Sequence, residues 1–271
     1  MIYHYCSVDT FFKIIESRKL WLSNSNSMND KFESIWIDKI IRDSKDDIKN
    51  QYFSRFISIY DSLEAKDHYF VSFSKDKDKL SQWRGYADDG KGVAIGFSIT
   101  LMPDLIYLYS KSQGVSELNG KTGITTSKIG YEYLIYNKNE QLNLIRQAFD
   151  NIKKFSDIEI NAILLKELST TFKHPSFKEE QEVRITYTPK NNENEQVDLI
   201  LKKVSDKKYR AQNNTIIDFY KLGFNCEYNS LLVPEIIIGP KCKLDKAQLK
   251  CFLESNGFES TKVIYSDSSY R

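Results

Sequence analysis

Short β-type runs and stretches with helical period follow one another along this chain without a regular strand–helix–strand alternation. The strand-like runs are rich in aromatic and β-branched residues and include IYHYC (2–6), HYFVSFS (68–74), VAIGFS (93–98), EEQEVRITYTP (179–189) and EIIIGP (235–240). A parallel sheet needs a long crossover between consecutive strands, whereas antiparallel strands accept irregular connections. The sequence therefore predicts an α+β fold built on a mixed or antiparallel sheet.

Helical segments are predicted as insertions between these strands. Over residues 32–64 apolar side chains recur at the helical period, and a break near DSKDD (43–47) indicates two helices. A longer helical pattern covers residues 139–172. The 271 residues are enough to bury a sizeable core, and we find no repeat or long linker, so the chain is interpreted as a single domain, 1–271.

The composition is that of an ordinary globular protein. Apolar residues make up 41% and charged residues 28%, and the formal net charge of +2 gives no bulk attraction for polyanions, although a local basic patch stays open. No stretch approaches the ~20 apolar residues that span a bilayer. We expect a cytoplasmic protein without a membrane partner. The four cysteines form no Cys-x-x-Cys pair, so we expect reduced thiols and no metal.

Two of the strand-like runs carry small or titratable side chains that suit a site. His4, one of three histidines, lies in the first strand between two tyrosines, and its side chain points to the opposite face from theirs. Ser72 and Ser74 share one face of their strand, so two hydroxyls line one surface. A hydrogen-bonded core histidine and an ordinary half-buried strand explain the same patterns, and the residues alone leave both interpretations open.

Charged residues alternate in EEQEVR (179–184), close to the end of a helical stretch. Glu180, Glu182 and Arg184 share one face if the segment is extended. This alternation is typical of a solvated ladder or an ion pair.

The segment SQWRGYADDGKG (81–92) adds Trp83, Arg84 and Tyr86 directly after the serine strand. A Trp–Arg pair in a loop can stack on a ligand and donate hydrogen bonds to it. The same pair can pin the loop to the core, so these residues are candidates for ligand binding or for structure.

The chain resembles the domain of unknown function 2971 family, a bacterial group, nearly end to end. The matching segments are YHYCSVDTFFKIIESRKLWLSNSNSMNDKFE (3–33), VSFSKDKDKLSQWRGYADDGKGVAIGF (71–97), EEQEVRI (179–185) and VPEIIIGPKCKLDKAQLKCFLESNGFESTKVIYSDSSY (233–270). The first segment in turn resembles the opening of ADP-ribosyltransferases, in which a helix follows at once after a strand bearing His or Arg.

The resemblance to ADP-ribosyltransferases implies an ADP-ribosyltransferase-like fold with NAD as the substrate. His4 on the first strand would hold the ribose or the nicotinamide amide through a ring nitrogen. Ser72 and Ser74 on the second strand would place the nicotinamide, with Tyr86 nearby and Trp83 as a further candidate contact.

The third element of that family is a strand with Glu-x-Glu, here Glu180 and Glu182. Glu182 would stabilise positive charge on the ribose by accepting from its 2′-hydroxyl, and Glu180 would orient or deprotonate the acceptor, a protein or a nucleic acid. Arg84 would meet the pyrophosphate. Glu-x-Glu usually accompanies a first-strand Arg, whereas this chain has His4. The resemblance implies an ADP-ribosyltransferase-like protein or an NAD glycohydrolase, in a toxin or phage-defence setting.

Two other classes of function stay open at this point. In a non-enzymatic recognition module, Trp83, Arg84 and the alternating charges would bind a protein or a nucleic acid. In a metal-dependent nuclease, NDKFE (29–33) would hold Mg²⁺ together with Glu180 and Glu182.

Overall fold

The computed structural model describes residues 1–25, 33–63, 67–98, 128–189, 204–212, 214–224 and 229–270. Within these ranges ten strands form one sheet. The strands are β1 Ile2–Cys6, β2 Lys19–Asn24, β3 Tyr69–Ser74, β4 Val93–Phe97, β5 Lys128–Tyr133, β6 Glu182–Thr188, β7 Lys208–Gln212, β8 Thr215–Gly223, β9 Glu235–Ile238 and β10 Lys262–Tyr265. The helices are α1 Val8–Ser17, α2 Glu33–Asp43, α3 Phe53–Ser62, α4 Leu80–Tyr86, α5 Lys138–Asp150, α6 Asp157–Leu168, α7 Asn229–Leu232 and α8 Lys246–Ser255, with a 3-10 helix at Pro175–Glu180.

The sheet is mixed and mostly antiparallel. Its main path runs β10-β9-β4-β1-β3-β2-β8-β7, and β6 pairs with β3 and β5 off this path. Among the described pairs, only β9 and β10 are parallel. This arrangement confirms the predicted α+β class.

Strand β3 has three partners. Strand β6 pairs with it along its whole length, so β1 and β2 share the opposite edge. On that edge β1 meets β3 at Tyr3↔Ser74, and β2 meets it at Ser23↔Phe70. Because β1 and β2 part between these points, the sheet opens beside Ser72.

Helix α1 connects the two strands that part. Ser7 ends β1 and caps the helix, because its hydroxyl oxygen accepts from Thr10 N at 3.3 Å. Phe11, Ile14 and Ile15 are buried on one face of the helix. The predicted strand–helix opening of the chain therefore forms, and it places the start of α1 at the opening in the sheet.

Two large apolar clusters support the fold. One joins the sheet to α1 and α8 and includes Phe11, Leu22, Val183, Ile236 and Leu253. The other is built mainly by side chains of α2, α3, α5 and α6, which include Ile37, Phe56, Phe149, Ile158 and Leu165. None of the helices that the structure describes is both long enough and apolar enough to cross a membrane.

The predicted helical segments each contain two helices. Residues 32–64 hold α2 and α3, as the break near 43–47 indicates, and residues 139–172 hold α5 and α6. The second division falls at residues 151–156, where the Asp157 carboxylate accepts from Lys153 N and Lys154 N, both at 3.0 Å. The interpretation as a single domain stays a prediction.

The helical cluster is predicted to contribute strongly to stability through Phe149. Its ring is 1% exposed and packs against Phe53 at 5.1 Å and Phe56 at 4.5 Å between ring centroids. We expect Phe149→Ala to lower the free energy of unfolding by about 3–5 kcal/mol, measured by chemical denaturation. The matched control is Phe155→Ala, at a ring that is 59% exposed, and equal losses in the two variants would contradict this packing.

Candidate functional site

A cleft with a volume of about 380 Å³ lies where β1 and β2 part. This volume falls in the range of small-molecule sites, about 300–1,000 Å³. Most of the sequence-predicted site residues line it, namely His4, Ser72, Ser74, Tyr86, Glu180 and Glu182. Residues more than a hundred positions apart in the chain are thus brought together by the pairing of β3 with β1 and β6.

Glu182 is the centre of a buried ion network at the wall of the cleft. Its Oε1 accepts from Ser72 Oγ at 2.6 Å and from Arg184 Nε at 2.7 Å. Its Oε2 accepts from Lys173 Nζ at 2.6 Å and from Arg184 Nη2 at 3.2 Å. A carboxylate has about four lone-pair sites, so these hydrogen bonds fill the capacity of Glu182.

The charges around Glu182 keep it ionised. Burial by itself raises the pKa of this carboxyl, but the positive charges of Arg184 and Lys173, with their hydrogen bonds, outweigh burial and lower the pKa to about 2. Arg184 is fixed in turn by a hydrogen bond from Nη1 to Thr170 O at 3.0 Å and by the Phe70 ring, 4.0 Å from its guanidinium carbon.

Glu180 reaches the same network from a turn, and not from the strand. The 3-10 helix ends at Glu180, Gln181 has a φ of 44°, and β6 begins at Glu182. The segment is therefore not extended at Glu180, contrary to the sequence-based interpretation. The left-handed residue turns the Glu180 carboxylate towards Lys173 Nζ, which donates to it at 2.5 Å.

Tyr86 and Ser74 hold this turn against the cleft. The Tyr86 hydroxyl donates to Glu180 Oε1 at 3.0 Å, and Ser74 Oγ donates to the Glu180 carbonyl at 2.8 Å. Burial, followed by the negative charge of Glu180, raises the pKa of Tyr86. Tyr86 is therefore a neutral donor that orients Glu180, while Ser74 positions the backbone.

The His4 ring contacts the backbone of Ser72 in β3. Its Nδ1 lies 2.9 Å from the Ser72 carbonyl oxygen, and because a carbonyl only accepts, Nδ1 carries the proton. Burial lowers the pKa of His4, so the ring is neutral at neutral pH and Nε2 carries a lone pair. Phe73 holds the ring at a centroid distance of 5.6 Å. His4 thus presents a fixed acceptor.

Trp83 and Arg84 are the predicted site residues that the structure does not bring to the cleft. Trp83 is fully buried, donates from Nε1 to Asp78 Oδ1 at 2.6 Å and packs edge-on against Tyr5. Arg84 is exposed, with its guanidinium 5.9 Å from the Tyr270 ring. Trp83 therefore pins α4 to the core, which is the structural role that the sequence left open.

Sequence reasoning missed Lys173, Trp21, Gln82 and Arg210. Lys173 bridges the two glutamates, and the other three line the cleft. Arg210 lies on β7 and reaches the cleft because β7 pairs with β8, and β8 pairs with β2. Only one sequence signal could have pointed to Lys173, its position just after a helical stretch and before the acidic pair.

The nuclease hypothesis depended on a segment that lies mostly outside the described residues. Of NDKFE (29–33), the structure describes only the backbone of Glu33. Among the described side chains, no group of three or more His, Cys, Asp or Glu is placed to hold a metal ion. Glu180 and Glu182 are bonded to Lys173 and Arg184, so their charge is already compensated.

Fold and site together define an α+β protein with a cleft at a branch point of its sheet. The cleft is lined by Glu180 and Glu182, whose charges are compensated by Lys173 and Arg184 behind them. Residues 82–185 match the model of a family described as "Protein of unknown function (DUF2971)". The match supports the family resemblance over these residues, which run from within α4 through the 3-10 helix to the middle of β6. Neither the curated proteins nor the solved structures contain a match to the chain.

The depressed pKa of Glu182 predicts an acid-dependent loss of stability. A carboxyl whose pKa is lower in the folded protein than its ordinary value of 4.5 stabilises the fold above that value, and this contribution is lost as the pH falls towards about 2. We expect the free energy of unfolding to decrease over this window in the wild type. The decrease should be shallower in Glu182→Gln, which has no carboxyl to titrate, as measured by denaturation at a series of pH values. Equal slopes would contradict the network.

Proposed function

We propose that this protein consumes NAD, transferring its ADP-ribose to an acceptor or to water, as an ADP-ribosyltransferase-like enzyme or an NAD glycohydrolase. The observation that carries the proposal is the meeting of three side chains in one cleft. His4 Nδ1 contacts the Ser72 carbonyl at 2.9 Å, and Ser72 Oγ contacts Glu182 Oε1 at 2.6 Å. These are the three strand positions that the resemblance to ADP-ribosyltransferases implies.

The chemistry requires a carboxylate beside the ribose. The bond between C1′ and the nicotinamide nitrogen breaks, and its electron pair leaves with nicotinamide, which becomes neutral. Positive charge develops on the ribose, and a fixed negative charge stabilises it best where water is excluded. Water or the acceptor then forms the new bond at C1′ and loses its proton to Glu180. The ionised, buried Glu182 suits the first role.

Substrate binding at Glu182 involves an exchange of hydrogen bonds. Of the four described donors to this carboxylate, the Ser72 hydroxyl is the neutral one, and it rotates freely about its C–O bond. The ribose 2′-hydroxyl takes its place on Oε1, while Lys173 and Arg184 keep the carboxylate in position. His4 Nε2 accepts from the nicotinamide amide or from a second ribose hydroxyl.

The proposal is tested by following free nicotinamide after incubation with NAD. We expect release by the wild type and a decrease of about 10²-fold or more in Glu182→Gln, because the charge beside the ribose is lost. The control is Glu179→Gln, an exposed neighbour, with release unchanged. Wild-type protein that neither releases nicotinamide nor binds NAD in calorimetry would overturn the proposal and favour a recognition module.

Lys173 is proposed as a positioning residue, and the pH dependence of nicotinamide release tests it. Its charge lowers the pKa of Glu182, so the wild type should keep its activity as the pH falls from 7 to 5. In Lys173→Met the pKa of Glu182 rises, and the acid limb of the profile should move to higher pH, whereas Lys173→Arg should restore it. Identical profiles in Lys173→Met and the wild type would contradict this role.

A further inference from the structure

The end of the cleft away from the glutamates contains an arginine that has no carboxylate partner among the residues that the structure describes. Arg210 lines the cleft, and no ion pair of Arg210 is found among the described residues. By contrast, the guanidinium of Arg184 donates two hydrogen bonds to the Glu182 carboxylate. Two cations compensate the two glutamates there, so, among the described residues that line the cleft, Arg210 carries a positive charge that no carboxylate compensates.

Arg210 is held in place before any ligand binds. Its Nη2 donates to Ser23 Oγ at 3.0 Å, and its guanidinium carbon lies 5.1 Å from the Trp21 ring and 5.5 Å from the Phe219 ring. Its Nε is buried and has no acceptor among the described residues. A guanidinium fixed between rings, with donors unused, is suited to a planar or tetrahedral oxyanion.

Two further donors of the cleft are also unused. Gln82 is only 6% exposed, lines the cleft, and its buried Nε2 has no acceptor among the described residues. Trp21 also lines the cleft, and its buried Nε1 likewise has no acceptor among the described residues. Buried donors without acceptors are rare in folded proteins because each costs free energy. A ligand that carries several acceptor oxygens would satisfy them.

The start of α1 adds to this positive end. Ser7, the N-cap of the ten-residue helix α1, and Thr10 in its first turn line the cleft. The unpaired N–H groups and the dipole of a helix N-terminus favour negative charge. The acidic residue of this turn, Asp9, is exposed and does not line the cleft.

From these contacts we infer that Arg210 and Trp21, with the start of α1, form a subsite for a phosphate or diphosphate group. The inference deepens the proposed function, on which its choice of NAD rests, because a dinucleotide would place its pyrophosphate here and its nicotinamide ribose at Glu182. It moves the pyrophosphate contact from Arg84, which the sequence analysis assigned, to Arg210.

Calorimetry with three probes tests the subsite. The probes are inorganic pyrophosphate, NAD, and nicotinamide riboside, which has the nicotinamide ribose but no phosphate. We expect Arg210→Gln to weaken the binding of pyrophosphate and NAD by about 10- to 100-fold, the effect of losing one or two charged hydrogen bonds, and to leave nicotinamide riboside binding unchanged. Arg210→Lys keeps the charge without the planar fork and should restore binding in part.

Matched variants separate the possible failures. Arg55→Gln removes an exposed arginine of α3 that also lies over an aromatic ring, that of Phe155, and should bind all three probes like the wild type. Thermal denaturation of each variant identifies a loss of folding. Equal pyrophosphate affinity in folded Arg210→Gln and the wild type would overturn the subsite, as would a loss confined to Arg84→Gln.

The outcomes for the subsite and for the proposed function are distinct. In one outcome, pyrophosphate binding depends on Arg210, but the wild type releases no nicotinamide and binds NAD no more tightly than pyrophosphate. This outcome would support the subsite and overturn NAD as the substrate. Nicotinamide release that is unaffected by Arg210→Gln at low NAD concentration would support the proposed function and overturn the subsite.

Discussion

The buried network of Lys173, Glu180, Glu182 and Arg184 is the interaction on which the site depends. Two carboxylates this close repel each other, and a buried charge without a partner is strongly unfavourable. Lys173 contacts both carboxylates, and Arg184 grips Glu182 with two nitrogens. Because the four formal charges balance and the pKa of Glu182 is lowered by its two cations, Glu182 stays ionised at the edge of the core, and the cleft has a fixed carboxylate in its wall.

The branch in the sheet supplies the space that this wall lines. Strand β3 is paired with β6 along one edge, while β1 and β2 divide the other edge between them. Where β1 and β2 stop pairing with β3, backbone groups of β3 need other hydrogen-bond partners. The Ser72 carbonyl at this point accepts from the His4 ring. The same contact that satisfies the backbone also fixes the histidine tautomer.

The charge distribution along the cleft is the basis of our proposal that a dinucleotide binds there. At one end, negative oxygens face the place where a ribose would develop positive charge. At the other, the buried Nε of Arg210 and Nε1 of Trp21 have no acceptor among the described residues. A ligand with a cationic leaving group and a diphosphate would match both ends, and a single electrostatic gradient would orient it.

Much of the fold was predictable from local patterns, because strand and helix periods are properties of neighbouring residues. The sequence by itself determined β1, β3 and β6, the two helical insertions, and the candidates His4, Ser72 and Glu182. It did not determine the left-handed turn at Gln181, the bridge made by Lys173, or the burial of Trp83 away from the cleft. Only the tertiary structure decided these, and it alone brought Arg210 to the cleft. Which charges compensate each other, and which residues line the cleft, depends on which distant strands become neighbours. That pairing is set by the packing of the whole chain, and no local period in the sequence reports it.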